Sequence, residues 1–430
     1  MAQRIRDRLP HRHHRRRHRL RGHGYFSRLG PGIVTGAADD DPSGIGTYSQ
    51  VGARFGYALL WSTLAVAPMA AAVQELAARL GLSTGRGLAK LIGARFGRTV
   101  LFGAVLITVI ANTFNVAADV GAMAASTELV TGLPSEGLVI VFTGGMLTLA
   151  IVLGYHQYAR VLRWLALSLL AYPIVLMTVS VDWSAVAHGL FVPSLAGGPA
   201  GLAALIAVFG TTVSPYLFFW QTSEEVEEAV EHHAEHEPVN RSHLVAMRVD
   251  VVGGMVSAVA IAFVIMVVAA ATLHVAGITT VGTAAQAASA LRPVAGDAAE
   301  LVFALGIVGL GLLAVPVLAG STAYALAEAF GWHEGLSTRL RSAKGFYGFL
   351  ALTMLAGLVV DVVAIDPIRA LYYAAILNGV VAPPLIVLMI VLGRDRSVVG
   401  EHRSGAVSVT LTGIAVVVSV ALPIAYLLTA

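Results

Sequence analysis

Eleven stretches of this chain are long and apolar enough to cross a lipid bilayer, and that repetition restricts its fold more than any other feature. They lie near residues 31–55, 57–78, 99–127, 135–154, 158–181, 197–221, 245–273, 298–325, 346–365, 368–393 and 405–429. A helix needs roughly 20 apolar residues to span the hydrocarbon core. Only helices and closed barrels satisfy their backbone polar groups there. Runs this long specify helices, so the expected fold class is an all-α polytopic membrane protein. Composition agrees: 57% of residues are hydrophobic and 12% charged, with mean hydropathy +0.78. That is about half the charged share of a soluble protein, which excludes a soluble enzyme, a nucleic-acid-binding domain and a disordered chain. The absence of cysteine excludes disulfides, thiolate metal sites and thiol catalysis.

Charge sets the expected orientation. If residues 1–28 are cytoplasmic, the tail and the alternate loops that follow hold 25 of the 28 Lys and Arg residues. The opposite loops hold only Arg54, Arg292 and Arg369. This bias predicts a plasma-membrane protein with a cytoplasmic N-terminus and an external C-terminus. The basic excess is local, because ten arginines lie in residues 1–28. No nucleic-acid partner is therefore expected. Residues 1–28 read as a disordered tail drawn to anionic membrane lipid. Its five histidines admit a metal-collecting role as the sharper alternative. It is not a secretory signal, since the next apolar run contains Asp39, Asp40 and Asp41 and no cleavage site.

Two of the eleven runs are interrupted. The first contains Asp39-Asp40-Asp41-Pro42-Ser43-Gly44. A charge at membrane depth costs at least ~2.5–3.5 kcal/mol, and Pro42 disfavours helix at the residue before it. The expected result is a helix unwound over residues 41–44 and lining a cavity. The sixth run contains Gly210-Thr211-Thr212-Val213-Ser214-Pro215-Tyr216, a second break. The breaks are five spans apart. Because five is odd, the two groups of five run through the membrane in opposite directions. Interrupted helices at corresponding positions of inverted repeats point to a central transport site. The expected organisation is a first repeat over 29–181, a second over 197–393, and an eleventh span at 405–429.

Other polar residues sit in apolar surroundings. Asn112, Asn115 and Asp119 share one helix face, either a water-lined route or an interhelical hydrogen-bond cluster. Glu75 either carries protons or pairs with Arg79 one turn on. Asn378 in the tenth run reads as a packing amide unless the first break faces it. Gln221 and Thr222 are candidates for an inner exit, and His156 and His274 read as interfacial. The segment 223–237 holds seven Glu with His232, His233 and His236. It reads as a solvated helix extension, with weak metal sensing as the alternative.

Several of these residues resemble the Nramp family of proton-coupled divalent metal transporters. Asp41-Pro42-Ser43-Gly44 is similar to the family's first-helix Asp-Pro-Gly-Asn. Gln74-Glu75-Leu76-Ala77-Ala78-Arg79-Leu80-Gly81 with Thr84-Gly85-Arg86-Gly87-Leu88 resembles its second helix and following loop. Thr212-Val213-Ser214-Pro215-Tyr216 stands where the family has Met-Pro-His. Arg248-Val249-Asp250, Asn378-Gly379 and Pro383-Pro384 extend the likeness over about 30–395. The resemblance implies a LeuT-like fold of two inverted five-helix repeats plus an eleventh helix, with helices 1 and 6 broken. It implies metal binding by Asp41 and backbone carbonyls, and a proton role for Asp119. Gly44 replaces the family's Asn, Ser214 its Met and Tyr216 its His. Without a thioether, an oxygen-only site favours Mg²⁺ or Mn²⁺ over softer metals.

The expected function is secondary-active transport of a small ion, most simply a hard divalent cation, with protons as a candidate coupling ion. Asp41, Ser43, Gly44, Thr212, Val213, Ser214, Tyr216 and Asn378 are the expected substrate-binding residues, with Asp41 the metal ligand. Glu75 and Asp119 are the expected proton pathway. No phosphate-cradling motif is present to support ATP drive, and no cofactor is expected. A second reading keeps the fold but moves a small anion or organic solute, bound at half-helix N-termini. A membrane-embedded enzyme has no His-Glu-x-x-His or Gly-x-Ser-x-Gly to support it.

Overall fold

The prolines that interrupt the first and sixth apolar runs each begin a helix. The computed structural model describes residues 30–153, 170–231, 239–333, 335, 343–361 and 366–429. The first run is a pair of half-helices, α1 (Pro31–Asp39) and α2 (Pro42–Phe55). Next come α3 (Trp61–Thr84), the short α4 (Leu88–Phe96), α5 (Arg98–Thr131) and α6 (Ser135–Leu153). Then follow α7 (Ala171–Thr178) and α8 (Trp183–Phe191). The sixth run is the second pair, α9 (Pro199–Thr212) and α10 (Pro215–Glu231). The longer helices that follow are α11 (Arg241–Ala269), α12 (Ala284–Ser289), α13 (Ala299–Phe330), α14 (Lys344–Asp361), α15 (Pro367–Arg394) and α16 (Ala406–Thr429). Among the described residues there is no strand. Proline fits the first helical turn, where its missing N–H has no intrahelical partner. Pro31, Pro42, Pro199, Pro215 and Pro367 all occupy that turn.

Each apolar run of the sequence thus meets one helix or helix pair; only the C-terminal part of the fifth, α7, is described. Residues 1–28, His156, Arg160, Arg163, His232, His233, His236, Arg339 and Arg341 lie outside the described residues. Six helical stretches are long and apolar enough to cross a membrane by length and composition, among the described residues. Their burial separates centre from rim. In Pro199–Ala229, 89% of the apolar window is buried inside the protein, against 17% for α16. The broken pair α9–α10 is therefore central. α16 presents Val417, Leu427 and Leu428 outward, the arrangement lipid would solvate.

Close helix crossings hold the half-helices in place. α1 packs along α11, and α9 along α15. A Cβ on Gly32 would lie 2.6 Å from the Cα of Val251, and one on Gly210 would lie 2.8 Å from the Cα of Gly379. Such approaches need glycine, and small residues at crossings supply packing energy where lipid gives no hydrophobic drive.

Candidate functional site at the two helix breaks

The first break is built by a cap. Asp40 leaves the helix at φ −81°, ψ 46°, and Asp41 (φ −71°, ψ 171°) is the N-cap of α2. Its Oδ1 accepts the Gly44 N–H at 2.8 Å and the Ser43 hydroxyl at 2.6 Å. The unwound backbone is therefore Asp40 and Asp41, not residues 41–44 as the sequence suggested. Asp at an N-cap followed by Pro is a helix start. Ser43 and Gly44 belong to the first turn of α2, and Gly44 acts through its amide.

The second break spans Val213 and Ser214. Val213 (φ −118°, ψ 58°) closes α9 by donating its N–H to Phe209 O. The Ser214 hydroxyl points back along the helix, 2.8 Å from both Gly210 O and Thr211 O. Asn378 Nδ2 approaches it at 3.4 Å. Asn378 is itself held in a reciprocal amide pair with Asn115, at 2.9 and 3.1 Å. Ser214 and Asn378 thus both have protein partners.

Three contacts bring the breaks face to face. Ser43 Oγ lies 3.2 Å from Thr211 Oγ1, and Tyr48 OH lies 2.8 Å from Thr212 Oγ1. Tyr216 OH donates to Ala38 O at 2.8 Å and sits 3.5 Å from Asp41 Oδ2. Every residue in these contacts is buried, so the site is closed to both sides. Nothing local marks Tyr48 or Thr211 as bridging groups, because each partner is more than 160 positions away.

Charge is the site's most informative property. Asp39, Asp40, Asp41 and Asp119 are 2%, 7%, 1% and 0% exposed. Among the described residues, no Lys or Arg acts on any of the four. Asp39 Oδ1 and both Asp119 oxygens have no hydrogen-bond partner. Asp119 faces Asp41 and the Ser43 amide electrostatically. An uncompensated buried carboxylate costs several kcal/mol, so these groups require protons or a bound cation. Among the described residues, no three His, Asp or Glu side chains converge as a ready-made metal cluster. A cation here would be held by one or two carboxylates plus backbone oxygens.

Glu75 does not reach this site. Its carboxylate accepts from Arg79, from Arg248 Nη2 at 3.1 Å and from Ser408 Oγ at 2.9 Å, joining α3, α11 and α16. The pairing alternative is the one observed, and it includes Arg248 and Ser408, which the sequence did not connect to it. Gln221 accepts from Thr35 and donates to Glu225 at 2.9 Å. Thr222 bonds Ala77 O, and His274 Nδ1 lies 2.8 Å from Ala53 O.

Residues 32–429 match the family model described as natural resistance-associated macrophage protein-like, Nramp. The chain is 30% identical over 387 residues to the divalent metal cation transporter MntH of Deinococcus radiodurans, covering 86% of this chain and 83% of that protein. It is 30% identical over 389 residues to the MntH of Pectobacterium carotovorum, covering 88% and 89%. In three dimensions it is similar to the Eremococcus coleocola manganese transporter, with TM-score 0.75 and 17% identity over 92% of this chain and 84% of that one. It is also similar to MhsT, solved with L-phenylalanine, with TM-score 0.66 and 14% identity over 93% and 99%. These likenesses show a LeuT-like fold.

Proposed function

Because the chain belongs to the Nramp family, we propose that it is a secondary-active transporter carrying a hard divalent metal cation, Mn²⁺ or Mg²⁺, by alternating access. The observation that carries this reading is the four buried carboxylates, free of any basic partner, where two broken helices meet. Asp41 Oδ1 serves the α2 cap, which leaves Oδ2, beside Tyr216, to face the cargo. The C-terminal ends of α1 and α9 add the negative ends of their half-helices. Ser43, Thr212 and Tyr216 position these groups. The donor set is oxygen, which suits Mn²⁺ and Mg²⁺ and gives Cd²⁺ no soft ligand. The anion alternative is disfavoured: Asp41 already occupies the N-terminus of α2, and its neighbouring carboxylates repel negative charge.

Transport requires the Ser43–Thr211, Tyr48–Thr212 and Tyr216–Ala38 contacts to part on one side at a time. The halves 29–181 and 197–393 are the bodies that move, and the charge alternation supports a cytoplasmic N-terminus. Asp119 is the proton carrier of this scheme. It is fully buried and its nearest charged neighbour is Asp41, so it meets directly any change of charge at the cation site. Uptake of Mn²⁺ into proteoliposomes, with and without an inward proton gradient, tests the scheme. Uptake should rise with the gradient in wild type and lose that response in Asp119→Asn. A gradient response retained by Asp119→Asn would remove Asp119 from the pathway.

A further inference from the structure

The closed site has fewer side-chain donors than its cargo needs. Gly44 has no side chain, the Ser214 hydroxyl is turned back to Gly210 O and Thr211 O, and Asn378 is paired with Asn115. The Ser43, Thr212 and Tyr216 hydroxyls likewise donate to protein acceptors, which leaves Asp41 as the expected anionic ligand, and one of its two oxygens caps α2. Magnesium and manganese are usually held by one or two carboxylates with water and carbonyls completing the shell. The open question is which buried oxygen near the break has no other task.

We propose that Asp39 is the second carboxylate ligand of the transported cation. This rests on the transport reading above and adds a ligand to it. Asp39 is the last residue of α1, at the negative end of that half-helix. It is 2% exposed, and its Oδ1 has no hydrogen-bond partner. It lies among the groups that close the site, within electrostatic reach of Tyr48, which bonds Thr212, and of Tyr216, which bonds Ala38 O. No basic side chain among the described residues balances it. Asp39 closes α1 and Asp41 caps α2, so the two carboxylates belong to the two half-helix ends that meet at the break. Two carboxylates match the charge of a divalent cation, and together they supply the hard donors that Gly44 and Ser214 do not.

A unique thiol gives a direct test, because the chain contains no cysteine. Purified full-length Asp39→Cys is titrated with Cd²⁺ while the ultraviolet thiolate-to-metal absorption is recorded. Ligation predicts a band that saturates at one Cd²⁺ per protein and disappears when Asp41→Ala is added. Wild type and Asp39→Asn are compared in Mn²⁺ calorimetry. Loss of a ligand should weaken Mn²⁺ by at least the roughly 10–100-fold that an outer-shell partner is worth. The Asp39 assignment is overturned if wild type binds Mn²⁺, Asp39→Asn binds within about twofold of it, and Asp39→Cys gives no band. If wild type itself binds no divalent cation, the transport reading fails instead, and the two failures are distinguishable.

Discussion

Asp41 performs two tasks that a pair of substitutions separates. As N-cap it accepts the Gly44 N–H at 2.8 Å and the Ser43 hydroxyl at 2.6 Å through Oδ1. As ligand it offers the charge and Oδ2, which has only a long 3.5 Å contact from the Tyr216 hydroxyl. Asparagine keeps a carbonyl oxygen for the cap and is as good an N-cap as aspartate. Asp41→Asn should therefore melt close to wild type, within about 1 kcal/mol of its stability. Alanine removes the cap acceptor, at about 0.5–2 kcal/mol, and leaves the buried Ser43 hydroxyl without its shorter partner. Both variants lose the charge that meets the cation. Truncating one member of a buried charge pair costs about 2–5 kcal/mol, roughly a 30-fold to several-thousand-fold loss of affinity. Calorimetry with Mn²⁺ and thermal melts in detergent separate the two effects. Asp41→Asn should be stable and bind weakly, and Asp41→Ala less stable and equally weak. Wild-type Mn²⁺ affinity in a well-folded Asp41→Asn would refute the assignment of Asp41 as ligand. A melt of Asp41→Ala equal to that of Asp41→Asn would refute the cap.

Further substitutions test the frame around the site. A Cβ on Gly254 would lie 2.8 Å from the carbonyl carbon of Gly32 and closer to its oxygen. Gly254→Ala should push α1 off α11 at about 1–3 kcal/mol, the usual cost of overpacking, read as a lower melting temperature. Glu75→Gln would leave Arg79, 4% exposed, buried without its carboxylate. A loss of about 3–5 kcal/mol in the same melts is expected, and an unchanged melt would show the Glu75 network to be dispensable. Outside the membrane-spanning helices, two hydrogen bonds from Ser397 and one from Arg95 hold the Asp395 carboxyl down at about 2. Its folded value lies below its unfolded one, so its stabilisation is present above about pH 4 and is lost as pH falls towards about 2. Asp395→Asn should abolish that part of the acid slope in melts across this window.

The sequence carried the spans and both breaks, because each rests on a local signal. Length and hydropathy mark a crossing helix, while buried aspartates, proline and glycine mark its interruption. The displacement of the first break from residues 41–44 to Asp40 and Asp41 was also local. The Asp-Pro order at positions 41 and 42 is a helix start, and it outweighs the glycines that follow. What the sequence could not show is pairing across the chain. Asn112, Asn115 and Asp119 stood out as a stripe, but nothing local says that Asn115 clasps Asn378 or that Thr322 receives Asn112. Glu75 and Arg79 at one-turn spacing predicted their pair, whereas Arg248 and Ser408 reach Glu75 only through the packing of α11 and α16 on α3. Ser214 was legible as a replaced ligand. That its hydroxyl turns back to its own helix, a common habit of serine near a helix end, needed the structure.

A hard, oxygen-lined site between the two breaks, if it carries the cation, fixes which metals cross the membrane. Competition uptake in proteoliposomes tests it most directly, with Mn²⁺ as tracer and Mg²⁺, Ca²⁺ and Cd²⁺ as competitors, in wild type and Asp41→Asn. Wild type should show saturable Mn²⁺ uptake, competition by Mg²⁺ and no preference for Cd²⁺ over Mn²⁺, and Asp41→Asn only background uptake. Uptake of no divalent cation, a strong preference for Cd²⁺, or normal uptake by Asp41→Asn would contradict it.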